Sequence, residues 1–264
     1  MPQRIVSTNL CADEYVFRLA PRGHIAALSF EAGDRHPVVS TIVDKVAGIP
    51  QIRPSTEAVL NFRPGLVVMF AGTLPKVRAH LAALGVAVVE VPYDTSLDGI
   101  RATTRMLGAR LGAPAQAERL LAEMDRTLAA ARRAAPVPPV RTLVYEPNGY
   151  ATSGAIAEEL MAVAGLRDAA PSYARTRSGR VPVEAVIAAA PQLLIFSGEK
   201  RASQTHADLV LHHPALATLE GRTTMAWDTL VPLLCAGPWS ADAALTLARL
   251  GQRARKLAPG RAGD

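Results

Sequence analysis

One stretch of this chain occurs twice, and few folds accommodate such a repeat. Glu57-Ala58-Val59 is followed by Pro64, Leu66 and Phe70, and the same order returns as Glu184-Ala185-Val186, Pro191, Leu193 and Phe196. Glu, Pro and Leu keep their spacing, and the Phe falls one residue earlier in the second copy. Proline cannot continue a helix, and the apolar run after it has strand length, so each copy reads as a short helix, a stop and a buried strand. Ser55 is the expected N-cap of the first helix and Pro182 the first-turn proline of the second. Each Glu then falls in a first helical turn, where complementing the helix dipole is worth about 0.3–1 kcal/mol. Dipole compensation needs no fixed position, so one Glu at one place in both halves points to a shared role.

The rest of the chain alternates in the same way. Ile5-Val6-Ser7 reads as a strand, Asn9 or Ser7 caps a helix to Leu19, and Ile25 to Ser29 is a second strand. Residues 30–54 are irregular, a loop length that usually carries function. After the first repeat come a helix opened by Pro75, a strand over 86–91 and a helix capped by Ser96. Residues 114–135 hold the longest helical pattern, with an apolar stripe of Leu120, Leu121, Met124 and Leu128. At 1.5 Å per residue it spans roughly 30 Å, the reach of a small domain. Pro136-Val137-Pro138-Pro139 ends it. The second half then offers a strand over 141–145, a helix over 155–164, the second repeat, a helix over 203–211, a strand over 223–227 and a last helix from Ser240. Alternation of this kind specifies parallel sheets covered on both faces. The expected architecture is α/β: an N-terminal lobe over 1–96, a helical connector over 97–139 and a C-terminal lobe over 140–264.

Composition excludes several classes. With 49% hydrophobic and 20% charged residues, the chain is not disordered. A formal charge of +6 would suit nucleic acid, but the Arg residues are scattered and aromatics make up only 5%, so no stacking platform forms. No apolar run reaches membrane-spanning length. Met1-Pro2-Gln3-Arg4 leads straight into a strand, which fits either a cytosolic protein or a mature form freed of its leader. Cys11 and Cys235 fit neither a disulfide framework nor zinc spacing and leave the redox compartment undecided. They read as buried thiols, the alternative being that they meet across a cleft. The six histidines are dispersed and supply no metal site. Gly-x-Gly-x-x-Gly, Gly-Lys-Ser/Thr, Gly-x-Ser-x-Gly and His-Glu-x-x-His motifs are absent, so no catalytic residue is nominated.

Two α/β lobes, a long helix between them and a Glu in the matching place on each resemble one family. These are the periplasmic substrate-binding proteins of ABC importers in the helical-backbone class, which carry cobalamin, ferric siderophores or haem. The likeness runs from Arg4-Ile5-Val6-Ser7 to the last helix. It is carried by Glu57…Pro64-Gly65-Leu66, Leu84-Gly85-Val86, Thr152-Ser153-Gly154 and Glu184…Pro191-Gln192. It implies that Glu57 and Glu184 dock on the membrane permease dimer, which works with a cytoplasmic ATPase. It further implies a periplasmic location, and a chelate of iron or cobalt held between the lobes as cargo, with no cofactor of the protein's own. The family usually has Pro-Asp where this chain has Pro64-Gly65 and Pro191-Gln192.

Ligands of open α/β sheets bind beyond the carboxyl ends of the strands. That rule nominates Asn9, Phe30, Phe70, Tyr93, Tyr150, Trp227 and Trp239, together with Arg175, Arg177 and Arg180. Aromatic faces suit a planar ring or catecholate, and Arg forks suit carboxylates. A ferric siderophore or cobalamin-type corrinoid ranks ahead of haem as cargo, and the protein is expected to be a monomer. The alternatives are a two-lobed enzyme, such as a glycosyltransferase or chelate reductase, and an adaptor without ligand.

Overall fold

A computed structural model describes residues 3–35, 38–94, 96–152, 154–171, 179–198, 200 and 205–257. The chain forms two compact units that do not follow chain order. Unit 1 comprises Met1–Met124 and Val231–Ser240, and unit 2 comprises Asp125–Leu230 and Ala241–Asp264. The expected division into three consecutive segments therefore differs in two respects. The long helix is shared between the units, and ten residues near the C-terminus return to unit 1.

Unit 1 contains β1 (Ile5–Ser7), α1 (Leu10–Leu19), β2 (Ile25–Ser29), β3 (Gln51–Ile52), α2 (Thr56–Leu60), β4 (Leu66–Phe70), α3 (Pro75–Ala83), β5 (Val88–Val91) and α4 (Leu97–Arg110). Its sheet has the order β3-β2-β1-β4-β5, parallel throughout. Successive residues of a strand point to opposite faces. Ile5, Leu28, Val68 and Val89 accordingly enter one core with α1 and α4, and Val6, Ala27, Val67 and Met69 enter another beside Val59 and Leu81. Strands buried on both faces must be apolar without interruption, which is why Leu66–Met69 reads as a solid run.

The spine helix α5 (Pro114–Ala134) begins in unit 1 and ends in unit 2. Unit 2 continues with β6 (Val140–Glu146), β7 (Tyr150–Ala151), α6 (Ala155–Val163), β8 (Leu166–Asp168), α7 (Val183–Ala189), β9 (Leu193–Ser197), β10 (Thr224–Asp228) and α8 (Ser240–Leu257). Strands β8, β6, β9 and β10 lie side by side and parallel, and short β7 pairs antiparallel with the end of β6. The same four-strand order thus occurs in both units, as β2-β1-β4-β5 and β8-β6-β9-β10.

The repeat is real in three dimensions. Each copy puts a non-glycine residue in the left-handed region just before its proline, Arg63 at φ 45° and Ala190 at φ 41°, an uncommon conformation to find twice by accident. The residue after each proline donates its N–H to the start of the neighbouring strand, Gly65 to Arg4 O at 3.1 Å and Gln192 to Arg141 O at 2.8 Å. These contacts explain both departures from Pro-Asp. A Cβ on Gly65 would lie 2.6 Å from Gln3 O, and Gln192 uses its side chain to accept from Arg141 N at 2.9 Å. The Phe residues are not equivalent: Phe70 ends its strand, whereas Phe196 sits one place earlier and turns into the core. A one-residue offset sends a strand side chain to the other face.

Other expectations are corrected. Cys11 and Cys235 are not free thiols but a disulfide, with Cα atoms 5.1 Å apart and a sequence separation of 224. Segment Val231–Ser240 packs on α1 through Trp239, whose ring meets Tyr15 edge-on at 4.9 Å, and this brings Cys235 to the first turn of α1. Both cysteines belong to unit 1, so they do not bridge a cleft either. Pro182 stands at the N-cap of α7 rather than inside it. The helix expected over 203–211 is, among the described residues, a 3-10 turn over Asp208–His212. Strands β3, β7 and β8 were not anticipated, being two or three residues long and mixed in polarity.

Candidate functional site

The carboxyl ends of the strands are described unit by unit. In unit 1, β1 sits where the strand order reverses, so the ends of β1 and β4 mark the switch point at which such sheets take ligands. Asn9 lies there, but its Oδ1 accepts from Cys11 N at 2.9 Å as the cap of α1. Beside it, Glu31 Oε2 accepts from Leu10 N at 3.0 Å, so the first two amides of α1 are already satisfied. Phe30 lies under the Arg53 guanidinium, 4.1 Å from the ring centre. Across the switch point Phe70 meets Tyr93 edge-on at 6.3 Å, and Tyr93 is 76% exposed.

Two buried carboxylates of α1 hold this face in place. Asp13 accepts from Ser29 N at 3.0 Å and from Ser29 Oγ, at the end of β2 just before Phe30. Burial pushes its carboxyl up to about 7, against the lowering effect of the Ser29 and Ser7 hydroxyls. Ser7 Oγ is buried at the end of β1 and, among the described residues, has no other partner. Glu14 takes the far end of the same loop, accepting from Thr41 N and Thr41 Oγ1, each at 2.6 Å, while Arg18 pairs with it. Loop 30–40 is therefore pinned at both ends by adjacent residues of one helix.

In unit 2, Tyr150 and Arg180 form an isolated antiparallel bridge, and the Arg180 guanidinium lies 5.1 Å from the Tyr150 ring centre. Trp227 stacks between Phe196 at 4.6 Å and His212 at 4.9 Å. Tyr145 donates to Val181 O at 2.8 Å; burial, and then the nearby Glu184 carboxylate, push its hydroxyl up to about 12.

Trp239 leaves the candidate set. It is 5% exposed, donates to Cys235 O at 2.9 Å, and lies beneath Arg18 at 4.6 Å, so the core takes the ring. Arg175 and Arg177 lie outside the described residues. Asn9, Phe30, Phe70 and Tyr93 gather on unit 1, and Tyr150, Arg180 and Trp227 on unit 2. Arg53 and His212 escaped sequence reasoning. Arg53 sits in a two-residue strand's exit with no motif around it, and His212 gains significance only from the ring it stacks on. Among the described residues no group of three His, Cys, Asp or Glu could hold a metal ion.

The two glutamates hold matching places. Glu57 and Glu184 are each the second residue of their helix, both exposed, above buried Val59 and Val186. Ser55 Oγ caps α2 by accepting from Ala58 N at 3.0 Å.

Residues 5–221 match the sequence model of a family described as periplasmic binding protein. The chain belongs to that family. The resemblance read from the sequence, to substrate-binding proteins of ABC importers, is borne out. Among solved structures, the periplasmic haem-binding protein RhuT from Roseiflexus sp. RS-1 is 25% identical with a TM-score of 0.68, over 96% of this chain and 99% of that one. The periplasmic haem-binding protein BhuT, solved with two haems, is also 25% identical, with a TM-score of 0.73 over 97% and 99%. The periplasmic vitamin B12-binding protein BtuF of Vibrio cholerae is 17% identical with a TM-score of 0.68, over 97% and 98%, a likeness of fold. No curated protein sequence matches the chain.

Proposed function

We propose that this protein is the substrate-binding component of an ABC importer, and that its cargo is a planar metal chelate of the haem class. The observation that carries this is one arrangement found in both units: an aromatic ring covered by a guanidinium beyond the strand ends, Phe30 with Arg53 and Tyr150 with Arg180. An Arg laid flat on a ring keeps its N–H edge for a carboxylate, so ring and acid recognition come together. Haem offers a flat macrocycle with two carboxylates, whereas a corrinoid carries mostly amides. The two haem-binding relatives at 25% identity support the same choice. Haem therefore moves ahead of the ferric siderophore and corrinoid that the sequence ranked first.

Export from the cytoplasm is part of this reading, and the Cys11–Cys235 disulfide supports it, because such bonds persist in oxidising compartments. Glu57 and Glu184 are assigned to the permease: exposed, equivalently placed carboxylates suit two related membrane subunits. Titration with haem, followed by Soret absorbance and Trp227 fluorescence, tests the cargo beside cobalamin, cobinamide and ferric siderophores. Saturable binding of haem alone is expected; a melting curve that none of these shifts would overturn the chelate assignment. In reconstituted transport, Glu57→Arg with Glu184→Arg should leave haem affinity unchanged and abolish uptake. Undiminished uptake would remove the docking assignment.

A further inference from the structure

The outer edge of unit 1 carries a groove that the cargo reading does not use. Among the described residues strand β5 ends the sheet and pairs only with β4. Val67 N donates to Ala87 O and Ala71 N to Val91 O, each at 2.9 Å, so alternate residues of β5 turn towards β4. The period of two leaves the backbone groups of Val88 and Glu90 facing outwards, and no hydrogen bond from the described residues reaches them. A groove of about 720 Å³ runs along this edge. Ala82 and Val86 wall it on the α3 side and Met106 on the α4 side, with Arg78 and Arg110 at its borders. Arg78 is paired with Glu90, and Arg110 is exposed at the end of α4.

This is not a second chelate site. Among the described residues no aromatic ring lines the groove, and it follows the start and middle of β5, away from Tyr93 beyond the strand's end. An acyl chain would meet Val86, Val88 and Met106 but leave the outward N–H and C=O groups unmet. A second copy of this chain would bring another pair of Arg residues against these two. With two guanidiniums to one carboxylate, the edge is complementary to an acidic strand. We propose that the outer edge of β5 docks an extended acidic peptide segment of a partner protein, which adds to the sheet as a further strand and places a carboxylate on Arg110. Main-chain pairing would give the affinity, and Arg110 with the Val88 and Met106 side chains the sequence preference.

A capped hexapeptide of alternating Val and Glu, added to the intact 15N-labelled chain, tests this. The Val88 and Glu90 amides should shift saturably and gain protection from exchange. Arg110→Glu, a change at an exposed site that leaves haem affinity as it was, should weaken peptide binding about tenfold. The same peptide N-methylated at alternate residues should also bind about tenfold more weakly, because it cannot complete the ladder. Equal binding of the methylated peptide would overturn the proposal. So would dodecanoate acting on the same amides in the peptide's place, or dimerisation of the protein through this edge in sedimentation. None of these outcomes bears on cargo binding, so this inference stands or falls apart from it.

Discussion

Units 1 and 2 share a scaffold and differ in how they finish it. Both lay four parallel strands in the same order, and both pass from a short helix through a left-handed residue and a proline into the strand next to the switch point. Unit 1 adds β3 at its far edge, pins loop 30–40 with Asp13 and Glu14, and closes a disulfide over α1. Unit 2 folds the end of β6 back as a bridge to β7 and builds an aromatic stack instead. The difference teaches that backbone geometry and a ring-and-guanidinium pair are repeated while the contacts that brace them are not. The two tryptophans show it most plainly: Trp239 is core in unit 1, and Trp227 stands at a strand end in unit 2.

That contrast can be broken by mutation, starting where the effect is largest. Trp239→Ala should cost about 3–5 kcal/mol of stability, as expected for emptying a buried aromatic site. Trp227→Ala should cost clearly less and instead reduce the fluorescence response to haem. Urea unfolding of both variants, with a haem titration of each, checks the pair; equal stability losses would erase the distinction. Removing the disulfide by Cys11→Ala with Cys235→Ala should destabilise by about 2–5 kcal/mol. Unit 1 should lose protection first, which hydrogen exchange resolves segment by segment; uniform loss in both units would contradict it. Arg53→Ala and Arg180→Ala should each weaken haem binding about tenfold while leaving the dimethyl ester of haem unaffected, if each guanidinium meets a carboxylate. An equal loss for the ester would reduce both to ring packing.

A further expected effect is a pH dependence confined to unit 1. Asp13 titrates near 7 when folded, against an ordinary 3.8, so folding takes up a proton between these values. Stability from this group is therefore greatest at the acid end, declines as pH rises through that window and levels off above 7. Asp13→Asn keeps the acceptor for Ser29 N and removes the ionisation. Its melting temperature should gain on the wild type between pH 5 and pH 8, and parallel curves across that range would show that Asp13 does not titrate there.

Much of this was legible in the chain. Apolar runs of strand length placed β1, β2, β4, β6, β9 and β10, and the period of 3.6 placed most helices. Ser55, Ser96 and Asn9 announced helix starts through their capping chemistry, and each caps as expected. What stayed hidden depends on contacts between distant residues. Nothing near Cys11 refers to Cys235, and nothing near Arg53 refers to Phe30. Trp239 had the composition of a site residue, but burial against Tyr15 is decided by tertiary packing alone. The Phe repeat misled through a single-residue offset, which sequence spacing shows and only the strand register interprets.

The ten residues that return to unit 1 bear on how the chain is made. A protein built of consecutive domains folds its N-terminal part while the remainder is still being synthesised. Here unit 1 lacks Cys235 and Trp239 until nearly all the chain exists, and unit 2 awaits the helix that follows them. Unit 1 is complete only at Ser240 and unit 2 only with the helix after it, so both finish late and in close succession. Removal of everything from Val231 onwards would accordingly injure the half at the opposite end of the sequence as well as its own.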